Sequence, residues 1–386
     1  MLKYSPLLIL LFAACAAPAP VMEPEAPAEP EDLRPPFGVA VLSQGTVTTP
    51  GGDSREVGEV SQVWPGGVDG AVLVAAADGD STRILRVDDQ GIHSLHAVSG
   101  SVVYTAVWSS DGSEAAFGYY RPMGNASPGR PAMGQGDILT VSTEGVERVG
   151  CSASRAVLAW APDGRLLVRN TNNLYLVTRD GCDTAATVDA RRMHGLTVSP
   201  DAAHLAFVHR ELEYNRSTRQ YEADSTFRLT NLQGQNPKTI VSFRYRPKRL
   251  SWKPDGSELA FDVEAAEGAG RAISIFNLAS GTTAFLHPPA TDWDEFAPVW
   301  SPGGERIAYL RGDEGGLHSV WVRKFESTFP ESIPESEGAE IVAWVDDNAL
   351  AFRGPSGMVR VYDLSNRSVV DLGTADAALR VTRQMP

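Results

Sequence analysis

The chain has 386 residues, with 34 Lys plus Arg against 48 Asp plus Glu and a formal net charge of −14. Hydrophobic residues make up 42% and charged residues 21%, an ordinary balance for a folded protein, so disorder throughout is excluded. The acidic excess repels phosphate backbones and argues against nucleic-acid binding, and three cysteines are too few for a disulfide scaffold.

The N-terminus reads as an export signal. Lys3 is followed by an apolar run, Leu7 to Ala14, too short to span a bilayer as a helix. The run ends in Phe12-Ala13-Ala14-Cys15, which resembles the bacterial lipobox, with Phe12 where that pattern usually has Leu. The resemblance implies cleavage before Cys15, lipidation of its thiol and, in a cell with two membranes, sorting to the outer membrane. An ordinary secretory signal with an incidental cysteine is the alternative. Residues 16–36 are almost entirely Ala, Pro and Glu, a composition that buries no core and favours extended conformations. They read as a disordered tether, leaving 37–386 as one folded domain.

Beyond the tether one phrase recurs: an apolar residue, Trp, a short turn of Ser, Pro, Asp and Gly, then an apolar strand. Its tryptophans are Trp64, Trp108, Trp160, Trp252, Trp300 and Trp344, with Val198 in the weaker fourth copy. The intervals are 44, 52, 38, 54, 48 and 44 residues. Each unit continues with a strand such as Leu259-Ala260-Phe261, then an alternating strand such as Ile273-Ser274-Ile275-Phe276, then a last short strand. Alternation at period two between turn residues predicts four-stranded β-sheets repeated around a ring. Pro presets φ in the turn, Asp accepts backbone hydrogen bonds and Gly tolerates positive φ. Seven units predict an all-β propeller of seven blades, with six or eight as the neighbouring alternatives. Residues 38–48 and 377–383 also read as strands, and the ring is expected to close by a terminal strand completing the blade at the other chain end.

The phrase Trp-Ser-Pro-Asp-Gly-x-x-(Leu/Ile)-Ala-Phe resembles the WD40-like (PD40) repeat of TolB-type β-propellers. The nearest matches are Trp252–Phe261 and Trp300–Tyr309, and Glu295–Trp300 also fits the approach to the phrase. The resemblance covers roughly 55–365. It implies a propeller, but not TolB itself: a Pro-rich tether stands where TolB has a small α/β domain, and seven units are counted where TolB has six blades.

If the Trp strand is innermost, the blade-to-blade crossings and the loops between second and third strands share one face. The Asp-Gly turns lie on the other. Length variation concentrates in the first class, at 121–136, 210–225, 264–270 and 287–298. Long loops on a rigid scaffold are where binding resides. The expected partner contacts are Arg210, Glu211, Tyr214, Arg216, Arg219, Tyr221, Trp293, Asp294 and Phe296, because Tyr, Trp and Arg dominate interface energetics.

The search for chemistry finds no catalytic motif. The nearest approach to Gly-x-Ser-x-Gly is Gly150-Cys151-Ser152-Ala153-Ser154, which lacks the last glycine. Prolyl-oligopeptidase-type enzymes share a propeller, but their hydrolase domain finds no room in this length. His93 with His96, and His204 with His209, do not converge on a strand reading, and His194, His287 and His318 stand apart. Asp292, Asp294 and Glu295 lack the glycine of a Ca²⁺ loop. Neither a metal nor a cofactor is therefore expected. Cys151 and Cys182 remain after lipidation: an extracytoplasmic compartment favours a disulfide, whereas the strand map sets them on different faces, so bridge and separate thiols both stay open. The resulting expectation is a non-enzymatic envelope lipoprotein, facing the periplasm or the cell exterior, whose propeller mouth binds a protein, peptide or glycan. The alternative is a propeller polysaccharide lyase or hydrolase with a metal in its channel.

Overall fold

The computed structural model describes residues 39–43, 45–49, 53–65, 71–88, 90–99, 102–109, 112–122, 134–142, 145–149, 156–161, 163–169, 173–178, 181–183, 193–215, 220–232, 234–235, 237–243, 249–264, 270–289, 292–312, 318–325, 327, 329–374 and 380–381. The predicted signal, Cys15, the tether, Cys151, Arg216 and Arg219 lie outside them. The described residues form eight four-stranded antiparallel sheets. Each is a blade, and no α-helix occurs among them.

Each Trp-marked unit is one blade. Blade one comprises Val60–Pro65, Val72–Asp78, Ser81–Asp88 and Gly91–Ser99, and blade two comprises Val102–Trp108, Ala115–Pro122, Gly134–Ser142 and Gly145–Val149. Blade three is Ala156–Trp160, Leu166–Arg169, Leu174–Thr178 and Gly181–Asp183, and blade four is Met193–Val198, His204–Asn215, Gln220–Asn231 and Lys238–Phe243. Blade five is Leu250–Trp252, Glu258–Glu264, Arg271–Asn277 and Thr283–Phe285. Blade six is Asp294–Trp300, Arg306–Gly312, His318–Lys324 and Glu331–Ser332, and blade seven is Glu340–Trp344, Ala349–Arg353, Met358–Asp363 and Ser368–Thr374.

The count is eight, one more than the seven repeat units and within the expected range of six to eight. The flanking strands do not complete a Trp-marked blade. They build one of their own, in the order Ser54–Glu56, Thr46–Thr48, Val39–Ser43, Arg380–Val381. The C-terminal strand pairs Val381 with Val39 and Arg380 with Ala40. Closure by a terminal strand thus occurs as expected, within this additional closing blade. The first strands of the seven Trp-marked blades and Arg380–Val381 adjoin one another in sequence until the circle returns to its start. They are the innermost strands, so crossings and second-to-third connections share one face and the Asp-Gly turns the other.

The core lies between blades, and the Leu-Ala-Phe phrase explains how. Alternate residues of a strand point to opposite faces. Leu259 and Phe261 therefore pack with Ala206, Val208 and Phe227 of blade four, while Ala260 packs with Trp300, Ile307 and Tyr309 of blade six. Leu350 and Phe352 likewise meet Ala308 and Leu310 of blade six. Large residues thus face the preceding blade and the small alanine receives the next blade's indole, which lets wedge-shaped sheets interdigitate. Burial of each aromatic ring contributes roughly 2–3 kcal/mol. Blade one departs from this phase: Trp64 packs toward blade two, with Ala115 and Phe117.

The indoles also tie neighbouring blades by hydrogen bonds. Trp108 Nε1–H donates to the Trp64 carbonyl at 3.0 Å, Trp160 to Val107 at 3.3 Å and Trp344 to Val299 at 2.9 Å. In the turns, Gly256 N–H donates to the Lys253 carbonyl at 2.9 Å with φ of +75°. In blade four Ala202 takes that place at φ +50°.

Candidate functional site

The crossing-face end of the gap between blades five and six carries a dense polar cluster. Its frame is the strand register: Glu295 on the innermost strand of blade six lies opposite Arg311, and Tyr309 lies opposite Trp321. Residues two apart share a face, so Tyr309 and Arg311 project together toward blade five. The crossing from blade five then brings His287 over them.

Glu295 is only 4% exposed. Its Oε1 accepts hydrogen bonds from Arg311 Nη2 at 2.6 Å and Nε at 3.1 Å, and His287 Nδ1 lies 3.2 Å away. Burial alone would raise the Glu295 pKa, but the hydrogen bonds and charges of His287 and Arg311 outweigh it and hold the carboxyl below its usual range. Arg311 also donates to the Tyr309 hydroxyl at 3.1 Å. Burial, reinforced by the Glu295 charge, pushes the Tyr309 phenol far above its usual pKa, so it stays protonated and is unsuited to act as a base. The guanidinium lies 4.3 Å from the Trp321 ring centre and 5.2 Å from that of Trp293. Trp293 is 42% exposed, so this cation–π stack ends in an indole open to solvent.

A second ion pair adjoins it. The buried Asp262 carboxylate pairs with Arg271 and accepts the Arg249 backbone N–H at 3.3 Å. The Arg271 backbone N–H donates to Asp294 at 2.7 Å. The Arg249 guanidinium reaches past blade six to the Ile341 carbonyl of blade seven, at 3.3 Å. These ion pairs and hydrogen bonds brace the surface beneath the exposed indole.

The predicted contact residues divide accordingly. Trp293 is exposed at this end, and Asp294 is engaged by the Arg271 backbone. Phe296 is 5% exposed, with its ring in the core between blades six and seven and edge-on to His318 at 5.5 Å, which leaves almost no surface for a partner. Glu211, Tyr214 and Tyr221 lie in strands, because 210–215 and 220–225 are not loop: blade four's second and third strands pair without interruption to Asn215 opposite Gln220. Arg210 opens this extension, opposite Ser225. The inner strand begins at Met193, opposite His209, and the outermost ends at Phe243, opposite Ser225. Among the described residues the rest of the hairpin is therefore two-stranded. Beyond the level at which blade five's second strand ends it continues for five residues, about 17 Å at the rise of a strand.

His287 and Arg311 were not singled out as partners for Glu295, since the proline-bearing crossing hides the approach of His287 from any spacing rule. Among the described residues no three His, Cys, Asp or Glu side chains gather as they would around a metal ion.

No protein-family model matches the chain. An alignment 137 positions long is 32% identical to the lasso peptide isopeptidase AtxE2 of Asticcacaulis excentricus and takes in 28% of this chain and 19% of the isopeptidase. The match thus spans less than a fifth of that relative. Among solved structures, prolyl oligopeptidase B from Galerina marginata, bound to a 35mer hydrolysis and macrocyclization substrate, aligns with a TM-score of 0.57 at 11% identity, over 84% of this chain and 51% of that one. Oligogalacturonate lyase in complex with manganese aligns with a TM-score of 0.51 at 13% identity, over 83% of this chain and 86% of that one. At these identities the structural likenesses establish one thing, that the chain has the propeller fold that peptidases and lyases also carry.

Proposed function

We propose that this chain is a lipid-anchored envelope protein whose propeller holds a peptide segment of another protein at its crossing face, without catalysing a reaction on it. The observation that carries this reading is the exposed Trp293 stacked on Arg311 at the end of the gap between blades five and six. An aromatic anchor on a rigid, charge-paired base is the kind of feature that dominates interface energetics. The projecting hairpin of blade four adds a second wall on the same face. The likeness of the repeats to TolB-type propellers and the stretch shared with a lasso peptide isopeptidase both favour a peptide as the ligand. The lipobox-like Phe12–Cys15 and the tether at 16–36 favour attachment to a membrane through Cys15.

Whole-cell crosslinking followed by affinity capture tests this. Trp293→Ala is expected to reduce capture of a bound protein at least tenfold while leaving the unfolding transition in place. Undiminished capture of every partner by this variant would remove the crossing face from the argument.

The isopeptidase stretch also favours a second reading, in which the chain acts with a hydrolytic centre on peptides. Cleavage of a peptide panel by the purified chain would move the conclusion to that reading. Depolymerisation of a polysaccharide with stoichiometric bound metal would move it to a lyase.

A further inference from the structure

On the turn face, a pocket of about 360 Å³ opens between blades one and two, opposite the face argued above and independent of it. Its floor is apolar and buried: Leu73, Ala115 and Val141 belong to the core shared by the two blades. Trp108 supplies a wall. Its one donor is spent on the Trp64 carbonyl at 3.0 Å, so toward the pocket the indole offers only apolar surface.

The polar rim has a definite sense. Asp88 Oδ1 accepts the backbone N–H of Gln90 at 3.0 Å and of Gly91 at 3.2 Å, and lies 3.3 Å from His93 Nε2. Its Oδ2 accepts Arg86 Nε–H at 3.0 Å. The carboxylate is thereby occupied on both oxygens and serves to orient its donors. The terminal amino groups of Arg86 make no hydrogen bond among the described residues. An apolar floor under a rim with donors in surplus is complementary to an apolar body bearing an anionic acceptor. A guanidinium offers two parallel N–H groups to a carboxylate, the strongest pairing open to such a rim. The volume is that of a small-ligand site.

We infer that this pocket between blades one and two binds an apolar carboxylate, its hydrocarbon part over Leu73, Val141 and Trp108 and its carboxylate on Arg86. The ligand is either a free acid or the C-terminal residue of a peptide, since both present the same chemistry.

The test titrates the full chain with N-acetyl-leucine and with N-acetyl-leucinamide, followed by calorimetry. The acid is expected to bind at least tenfold more tightly than the amide. Arg86→Gln should erase that difference. Ser113→Trp, placed at the exposed mouth, should weaken both probes at least tenfold. A tetrapeptide ending in leucine, compared with N-acetyl-leucine, separates the two sources: tighter binding by the tetrapeptide assigns the site to a chain end, and weaker binding assigns it to a free acid. Equal binding of acid and amide, an acid affinity indifferent to both Arg86→Gln and Ser113→Trp, or no binding of either probe at millimolar concentration would overturn the inference.

Discussion

Gly256 and Ala202 occupy the same step of two turns, and both have positive φ. A left-handed residue other than glycine costs about 1–2 kcal/mol. A Cβ at Gly256 would find its nearest neighbour, the Asp201 carboxyl carbon, at an ordinary 3.7 Å, so backbone strain alone would set the price. Gly256→Ala should lower stability by about 1 kcal/mol, read as a shifted denaturant midpoint with unchanged slope. Glu295 makes a larger claim. Its folded pKa lies below the unfolded value of about 4.3. The stabilisation it gives is therefore complete above that value and is lost as pH falls through the lower, folded one. Urea unfolding from neutral to acid pH should show this loss in the wild type and not in Glu295→Gln. Glu295→Ala, which leaves Arg311 without its carboxylate, should cost about 3 kcal/mol at neutral pH. The charge of Glu295 was visible in the sequence, but its partners were not. Arg311 is reached only through register, and His287 only through a crossing whose path no periodicity encodes.

Among the elements, the hairpin of blade four departs most from expectation. The length variation at 210–225 reads as a loop, yet Glu211-Leu212-Glu213-Tyr214 and Tyr221-Glu222-Ala223-Asp224 alternate polar with apolar, the period of a strand. The register then opposes Glu213 to Glu222 and Glu211 to Asp224. Like charges directly opposite destabilise a ladder, and an opposite pair stabilises it by roughly 0.2–1 kcal/mol. Glu213→Lys should accordingly protect the amides of 211–215 and 220–224 in hydrogen exchange. Unchanged protection would mean that the opposed carboxylates are already neutralised. The short Leu-Ala-Phe strands, by contrast, were legible to the residue, because their alternation of large and small is the packing rule between blades.

For the whole molecule, seven blades could be counted from the recurring turn phrase, six copies with Trp and one with Val198. The eighth was hidden because its four strands carry no Trp-turn phrase and come from both ends of the chain. Nothing local in Val39–Ser43 or Arg380–Val381 announces a blade; the pairing of Val39 with Val381 makes one. Deleting residues 376–386 removes the innermost strand of that blade and leaves Val39–Ser43 as a bare edge. The truncated chain is expected to melt at a lower temperature and to self-associate, which light scattering during a thermal ramp would report. A truncation that melts like the full chain and stays monomeric would mean that closure rests on side-chain packing instead of the strand.

The closing blade also decides where mechanical load would arrive. Any pull transmitted through the residues before Val39 enters the disc at the strand that clasps the far end of the polypeptide. Among the described residues two pairs join those ends, whereas the second and third strands of blade four share twelve. That short latch therefore sits where a pull from the N-terminal side of Val39 would be felt first. Tugging would tend to unclasp the ring there before it disturbed the longer pairings within the blades.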